Sequence, residues 1–378
     1  MKIGIDARML VKNRDGIGNY AYNLIKTLNQ IDKENEYVLY SNKEIYLDFK
    51  LNNNFSVVNY NKKIGSMFLY FKLGKILKND KIDVFLGTSF ILPKKNKNTK
   101  NIKKIAVVHD LAIFKIKGIG SNINTIIQHT IAMKSIKNAD KIIAISKSTK
   151  KDIIEIAKIQ EDKIDVIYLG TNELNNIVLT EKDMDSIRKK FNVKDNNFIF
   201  FLSTIEPRKN VKTLVKAFEL YKNKKNDDVK LILSGKIGWK SDDVINMINN
   251  SMYKKDIKLT GFISEKEKSY FYKYCNAFCY PSLYEGFGLP VLEAMQYGTI
   301  VITSNNSSLP EVGGNVAIYL NNVNDYAELE SIFENVMEMS KSEREEIKKK
   351  GIEQAKKFTW EKNATETLNV IKGLKKIW

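Results

Sequence analysis

Two glutamates stand eight positions apart in residues 284–298, "YEGFGLPVLEAMQYG". Glu285 precedes the turn Gly286-Phe287-Gly288-Leu289, and Glu293 falls inside the apolar run opened by Pro290. Proline suits the first turn of a helix, where its fixed φ fits and its missing N–H is not needed. Gly298 supplies a stop, so the run predicts two helical turns with Glu293 about one turn inside. The unpaired N–H groups and partial positive charge of that helix start attract phosphate or other anionic oxygens. Carboxylates do not bind phosphate, so the two acids are read as gripping hydroxyls of the same ligand at two depths. A sugar joined to phosphate meets both demands. The plainer alternative is one acid that offsets the helix dipole and one incidental surface acid.

Three further stretches carry candidate chemistry at the carboxyl ends of predicted strands. In "LSTIEPRKNVKTL", Arg208 and Lys209 lie between a strand and a helix beginning near Asn210. Arginine can grip phosphate bidentately and lysine as a point charge; the alternative is a solvated basic turn, and both side chains are expected to be exposed. In "AVVHDLAIF", His109 and Asp110 end a buried strand, a good position for a site. His129 is read as a helix-packing residue. In "DARMLVKNRDGIGNY", Gly16 and Gly18 precede a helix that includes Tyr20, Leu24 and Leu28. The dinucleotide fingerprint G-x-G-x-x-G is not met, because Ala21 stands three after Gly18, which makes a dehydrogenase a poor reading. Cys275 and Cys279 are too few for a structural zinc site and lack C-x-x-C spacing. They read as small buried hydrophobes in a reducing cytoplasm.

Positioning these residues requires strands and helices in alternation. Short β-branched runs such as "KIGIDA", "DVFLG", "KIAVVHD", "FIFFLST", "VKLILSG" and "TIVITS" alternate with amphipathic stretches such as 210–225 and 343–358. Strands without polar alternation, separated by helices, indicate parallel sheets covered on both faces. The order restarts after Gly170, where "YLGTNELNN" is polar and turn-rich. The expected fold is α/β, two doubly wound Rossmann-like domains facing a cleft, with boundaries at 1–172 and 173–360 and ligands at the carboxyl ends of the strands.

At 378 residues, 43% of them hydrophobic, the chain has ample core for two domains. "MKIGIDARML" has no signal-peptide pattern, and no apolar run reaches the roughly 18 residues of a spanning helix. The formal net charge is +18, yet arginine occurs only five times and the lysines are spread along the whole chain. That suits a composition bias as well as a binding patch, although a basic surface favours anionic membranes or phosphorylated substrates. No nucleic-acid recognition signature is present.

With these four stretches in order, the chain resembles the retaining nucleotide-sugar glycosyltransferases of family 4, which have the GT-B fold. Its motif variants look most like those of bacterial surface-polysaccharide mannosyl- and rhamnosyltransferases. The family's E-x(7)-E pattern is matched by Glu285 and Glu293, followed by "VITSNNSSLPEVGG". "EPRKN", "DGIGNY", "VVHD" and the tail "FTWEKNATETL" also match. The resemblance implies a GDP- or UDP-linked sugar donor, GDP-mannose first, with no cofactor and no metal. Arg208 and Lys209 would neutralise the donor phosphates, Glu293 hold the ribose and Glu285 a hydroxyl of the transferred sugar. Backbone N–H groups of Phe287, Gly288 and Leu289 would cap sugar hydroxyls and the distal phosphate, with Gly286 in the same loop. The Gly16–Gly18 loop would approach that phosphate, and His109 and Asp110 would flank the sugar. The backbone at Phe262 and Ile263 would meet the base, and the tail 361–378 would pack back on the first domain. One departure is Ser203-Thr204, where many members have Gly-Arg, so Arg208 and Lys209 carry the positive charge alone. The acceptor would be a glycan or lipid-linked glycan, and the enzyme cytoplasmic. The basic, aromatic stretch 62–78 could lie on an anionic membrane or pack as a core helix. The rival readings are a UDP-hexose-dependent transferase, a nucleotide-sugar 2-epimerase and a catalytically silent accessory subunit.

Overall fold

The computed structural model describes residues 1–60, 65–116, 123–171, 177–225 and 227–374. Two compact units emerge: Met1–Gly170 together with the chain from Phe358, and Thr171–Lys357. The first holds β1 (Lys2–Asp6), β2 (Glu36–Ser41), β3 (Phe55–Asn59), β4 (Val84–Gly87), β5 (Lys103–Val108), β6 (Lys141–Ala144) and β7 (Ile164–Val166). They form one parallel sheet in the order β3-β2-β1-β4-β5-β6-β7. The second unit holds β8 (Phe198–Leu202), β9 (Lys230–Ser234), β10 (Ile257–Gly261), β11 (Ala277–Tyr280), β12 (Val301–Ser304) and β13 (Ile318–Leu320). Their order is β10-β9-β8-β11-β12-β13, again all parallel.

The sequence reasons for this are local and simple. "FIFFL" in β8 and "AFCY" in β11 are apolar at consecutive positions because helices cover both faces, and their side chains are almost wholly buried. Helix starts carry side-chain caps: Asp15 accepts from the Gly18 N–H, and Thr180/Asp183, Ser264/Glu267 and Ser340/Glu343 form reciprocal capping boxes. In both sheets the strand order reverses beside the first strand. That makes β1/β4 and β8/β11 the switch points, the general place for ligands in open parallel sheets.

The helix Trp360–Gly373 belongs to the first unit. It buries Trp360, Ala364, Leu368 and Ile371, one helical stripe, and Asn363 donates to the Tyr168 carbonyl at 2.7 Å. Residues 375–378 of the expected tail and 172–176 of the expected linker lie outside the described residues. The 62–78 stretch, described from residue 65, is two short helices, Gly65–Phe71 and Leu73–Asn79. Leu69, Leu73 and Leu77 enter the core of the first sheet, while Met67 and Phe71 are exposed. Among the described residues, no helix is long and apolar enough to cross a membrane.

Candidate active site

The loops after β8 and β11 leave adjacent strands and meet in an ionic cluster, with Glu206, Arg208 and Lys209 on the first and Glu285 on the second. After β8, Pro207–Lys209 forms a single 3-10 turn, and Asn210 in the left-handed region starts the helix Val211–Lys224. This turn aims Lys209 inward. Lys209 Nζ donates to Glu285 Oε1 at 2.5 Å and to Tyr280 Oη at 2.6 Å. Arg208 Nη1 donates to Glu285 Oε2 at 3.2 Å and to the Tyr284 carbonyl at 3.1 Å, while its Nε donates to Glu206 Oε1 at 3.1 Å. Ser282 Oγ lies 2.6 Å from Glu285 Oε1. The Lys209 and Glu285 side chains are only 7% and 9% exposed.

This corrects the expectation of an exposed basic turn. The loop folds under β11 because the Leu283 N–H donates to the Arg208 carbonyl at 2.8 Å, with the Ser282 hydroxyl 3.0 Å from the same oxygen. Two cations and two carboxylates, Glu206 and Glu285, form a cluster with no net formal charge. Burial alone would push the Glu285 carboxyl up, but attraction to Lys209 and then Arg208 outweighs it and holds the group below the ordinary carboxylate range. Burial likewise works against the Lys209 ammonium, and Glu285 more than restores it. Both groups are therefore ionised near neutral pH.

Glu285 opens the glycine-rich loop, which is fastened from below. Its N–H donates to Ser307 Oγ at 3.0 Å, and Ser308 Oγ lies 3.0 and 2.8 Å from the carbonyl oxygens of Glu285 and Phe287. Phe287 is buried. Gly288 takes φ +108°, a backbone conformation that L side chains avoid, and so turns the chain into the helix Leu289–Gln296. As N-cap and first residue of that helix, Gly288 and Leu289 have N–H groups with no helical carbonyl one turn earlier to bond. Glu293 sits one turn in, apart from the ionic cluster. Tyr272 Oη donates to its Oε2 at 3.3 Å. Burial raises the Glu293 carboxyl pKa, with Lys268 opposing and Glu265 adding to the rise. The two acids of the motif thus have opposite electrostatics. Phe262, which follows β10, is 84% exposed, and Ile263 leads into the capped helix Glu265–Tyr274.

In the first unit, Gly16 and Gly18 begin the helix Gly16–Ile31. Their roles differ: a Cβ on Gly18 would stand 2.6 Å from the Met9 carbonyl oxygen, whereas one on Gly16 meets open space. Tyr20 of the same helix packs edge-on against the His109 ring at 5.0 Å. His109 Nε2 lies 2.8 Å from the Thr88 carbonyl. A carbonyl only accepts, so Nε2 carries the proton and Nδ1 the lone pair. Burial lowers the His109 pKa. Asp110 Oδ1 accepts the Ala112 N–H at 3.1 Å, a local turn bond. His129 stands beside Phe114, ring centres 5.3 Å apart, as its packing role requires.

Sequence reasoning missed Tyr280, Ser282, Ser307 and Ser308. A signal existed for the first two: at the end of a buried strand, positions two apart share a face, and "YPS" puts two hydroxyls on it. Both cysteines are buried and unpaired with each other. Among the described residues, no group of three or more His, Cys, Asp or Glu could hold a metal ion.

Comparison with known proteins bears on the family of the chain as a whole. Residues 183–376 match the family model "Glycosyl transferases group 1", and residues 14–173 match "Glycosyltransferase Family 4". O-antigen chain mannosyltransferase B of Escherichia coli is 28% identical over 300 residues, 79% of this chain and 76% of the relative. Serotype-specific mannosyltransferase WbdA of Escherichia coli is 30% identical over 269 residues, 69% of this chain, and the chain spans only 32% of WbdA. Anabaena HepE, solved in complex with UDP-glucose, superposes with a TM-score of 0.70 at 15% identity, covering 98% of this chain and 100% of that chain. Such low identity speaks for the fold alone. The first unit matches one family model and the second the other, so the chain belongs to the family 4, group 1 glycosyltransferases of the GT-B fold.

Proposed function

We propose that this glycosyltransferase is a retaining hexosyltransferase that moves mannose from GDP-mannose to a glycan or lipid-linked glycan in surface-polysaccharide synthesis. One observation carries the site assignment: Arg208 and Lys209 converge on Glu285 at the β8/β11 switch point, beside the start of the helix Leu289–Gln296. Mannose is favoured by the names of the two Escherichia coli relatives. A UDP-hexose is the second reading, favoured by the UDP-glucose complex of HepE.

The donor diphosphate would share Arg208 and Lys209 with Glu285 and accept N–H groups of Phe287, Gly288 and Leu289. Glu285 would hold a hydroxyl of the transferred sugar and Glu293 the ribose, with Phe262 and Ile263 near the base. His109 would flank the sugar as a neutral imidazole, and Asp110 would be its second polar neighbour. In transfer, the bond between C1 and the diphosphate oxygen breaks and the acceptor oxygen bonds C1 on the same face. The departing phosphate takes the acceptor's proton. The fixed cations and the helix start stabilise the charge gathering on the leaving group, so no metal is required. Met67 and Phe71, exposed beside Lys72 and Lys75, offer a peripheral contact for an anionic membrane carrying the acceptor.

Incubation with GDP-mannose and with UDP-hexoses, followed by NMR of the freed sugar, tests this. Slow release of mannose, first in the donor's own anomeric form, supports it. Inversion at C1, a product altered at C2, or donor binding without turnover each rejects it; faster use of a UDP-hexose moves the donor assignment.

A further inference from the structure

A cationic cavity of about 260 Å³ opens in the first unit at the amino-terminal edge of β5, β6 and β7. His109, by contrast, follows the carboxyl end of β5. Lys95, Lys100, Lys104, Lys137 and Lys163 line it, and Asp140 is its one acid, for a formal charge of about +4 at pH 7. A lysine-rich composition accounts for cations on the rim, and Lys137 also closes the helix Ile123–Lys137, where the dipole favours a cation. Neither reason covers Lys104.

Lys104 is 2% exposed. Its ammonium donates to the Pro93 carbonyl at 3.3 Å, which uses one of three N–H donors. Burial lowers its pKa, Asp140 partly restores it and Lys95 lowers it again. Asp140 is already committed: Oδ2 accepts the Lys104 backbone N–H at 2.9 Å, and Oδ1 pairs with Lys103 at 3.7 Å. Among the described residues, none of the five lysines has a salt-bridge partner. A buried ammonium whose neighbouring carboxylate only partly offsets its burial costs stability, and an anionic ligand in the cavity would reduce that cost.

We propose that this cavity is a binding site for a phosphate or diphosphate group, distinct from the donor site. Only Ile102 and Ala139 of its lining are apolar, which suits a charged head and excludes an acyl chain. Four rim ammoniums act as point charges around the group, and Lys104 donates from the floor. A soluble phosphate ester and the headgroup of an anionic phospholipid present the same chemistry.

Trace acetylation of the full chain, read residue by residue by mass spectrometry, tests this with inorganic pyrophosphate at constant ionic strength. Lys95, Lys100, Lys137 and Lys163 should be protected at concentrations that leave Lys273 and Lys348, in a cavity of the other unit, fully reactive. Lys104→Met should weaken that protection roughly ten- to a hundredfold, as for loss of a hydrogen bond to a charged group. Uniform protection of all lysines, or unchanged affinity in Lys104→Met, overturns the proposal. Should that variant not fold, Lys100→Gln combined with Lys137→Gln, both on the exposed rim, must lose protection of Lys95 and Lys163, and its retention also overturns it. Phosphatidylglycerol vesicles that protect more strongly per phosphate than pyrophosphate assign a lipid headgroup. Protection by pyrophosphate but not by these vesicles assigns a soluble ester.

Discussion

Replacing Glu285 by glutamine and Lys209 by methionine, singly and together, probes the buried pair at the centre of the proposed donor site. Removing one partner of a buried ion pair costs about 3–5 kcal/mol, because the other charge is left uncompensated. Local partners skew that range. In Lys209→Met, Glu285 keeps Arg208 at 3.2 Å and Ser282 at 2.6 Å, so the loss should fall to about 2 kcal/mol, below that range. In Glu285→Gln, Lys209 keeps the Tyr280 hydroxyl but loses its anion, and about 3 kcal/mol is expected. The double variant removes both charges at once and should cost at least about 1 kcal/mol less than the sum of the singles. A pH signature accompanies this. The folded Glu285 pKa lies below its ordinary value, so its contribution is complete above the ordinary carboxylate range and is lost as pH falls through the folded value. Urea unfolding of all four proteins at pH 7, and of wild type and Glu285→Gln through roughly pH 6 to 3, measures both effects. Wild type should lose its advantage over Glu285→Gln on acidification. Additive losses under about 0.5 kcal/mol each, with parallel pH curves, would refute the buried-pair reasoning.

Other outcomes follow from the same geometry. Glu293 has a raised carboxyl pKa through burial, so its ionisation costs stability as pH rises above the ordinary carboxylate range. Glu293→Gln should therefore melt higher than wild type at pH 7 and lose that gain below about pH 4; kinetically it should raise the donor KM more than it lowers kcat, as for uniform binding. Gly18→Ala should destabilise the first unit, since its Cβ would press on the Met9 carbonyl, while Gly16→Ala should be tolerated; equal melting points would dismiss that contrast. Transfer should persist in excess chelator, and a complete, magnesium-reversible loss would reject charge stabilisation by Arg208 and Lys209 alone.

Much of this arrangement can be read before any coordinates. The parallel sheets follow from unbroken apolar runs such as "FIFFL", because only strands covered on both faces look like that. The glycine-rich loop was legible because Gly288 and Pro290 leave the backbone few choices. Long-range pairing was not legible. Glu285 and Lys209 are 76 residues apart and meet only because β11 is inserted beside β8 in the sheet. Reading the motifs separately therefore made Arg208 and Lys209 exposed cations and hid the carboxylate that neutralises them. Asp110 could not be separated from His109 by type or spacing either, and its turn bond to Ala112 emerges only from the backbone path. Over residues 65–78 the helical period runs through a break at Lys72, which the period alone does not register.

Calorimetric titration with GDP of wild type, Arg208→Gln and Glu285→Gln tests the central claim most directly, because the two substitutions are expected to act in opposite directions. If the diphosphate shares the cations that Glu285 holds, Arg208→Gln should weaken GDP roughly tenfold or more. Glu285→Gln should bind GDP at least as tightly as wild type, because the competing carboxylate is gone, even as transfer falls about a hundredfold. Unchanged GDP affinity in Arg208→Gln together with lost affinity in Glu285→Gln would contradict a donor phosphate site at Arg208, Lys209 and Glu285.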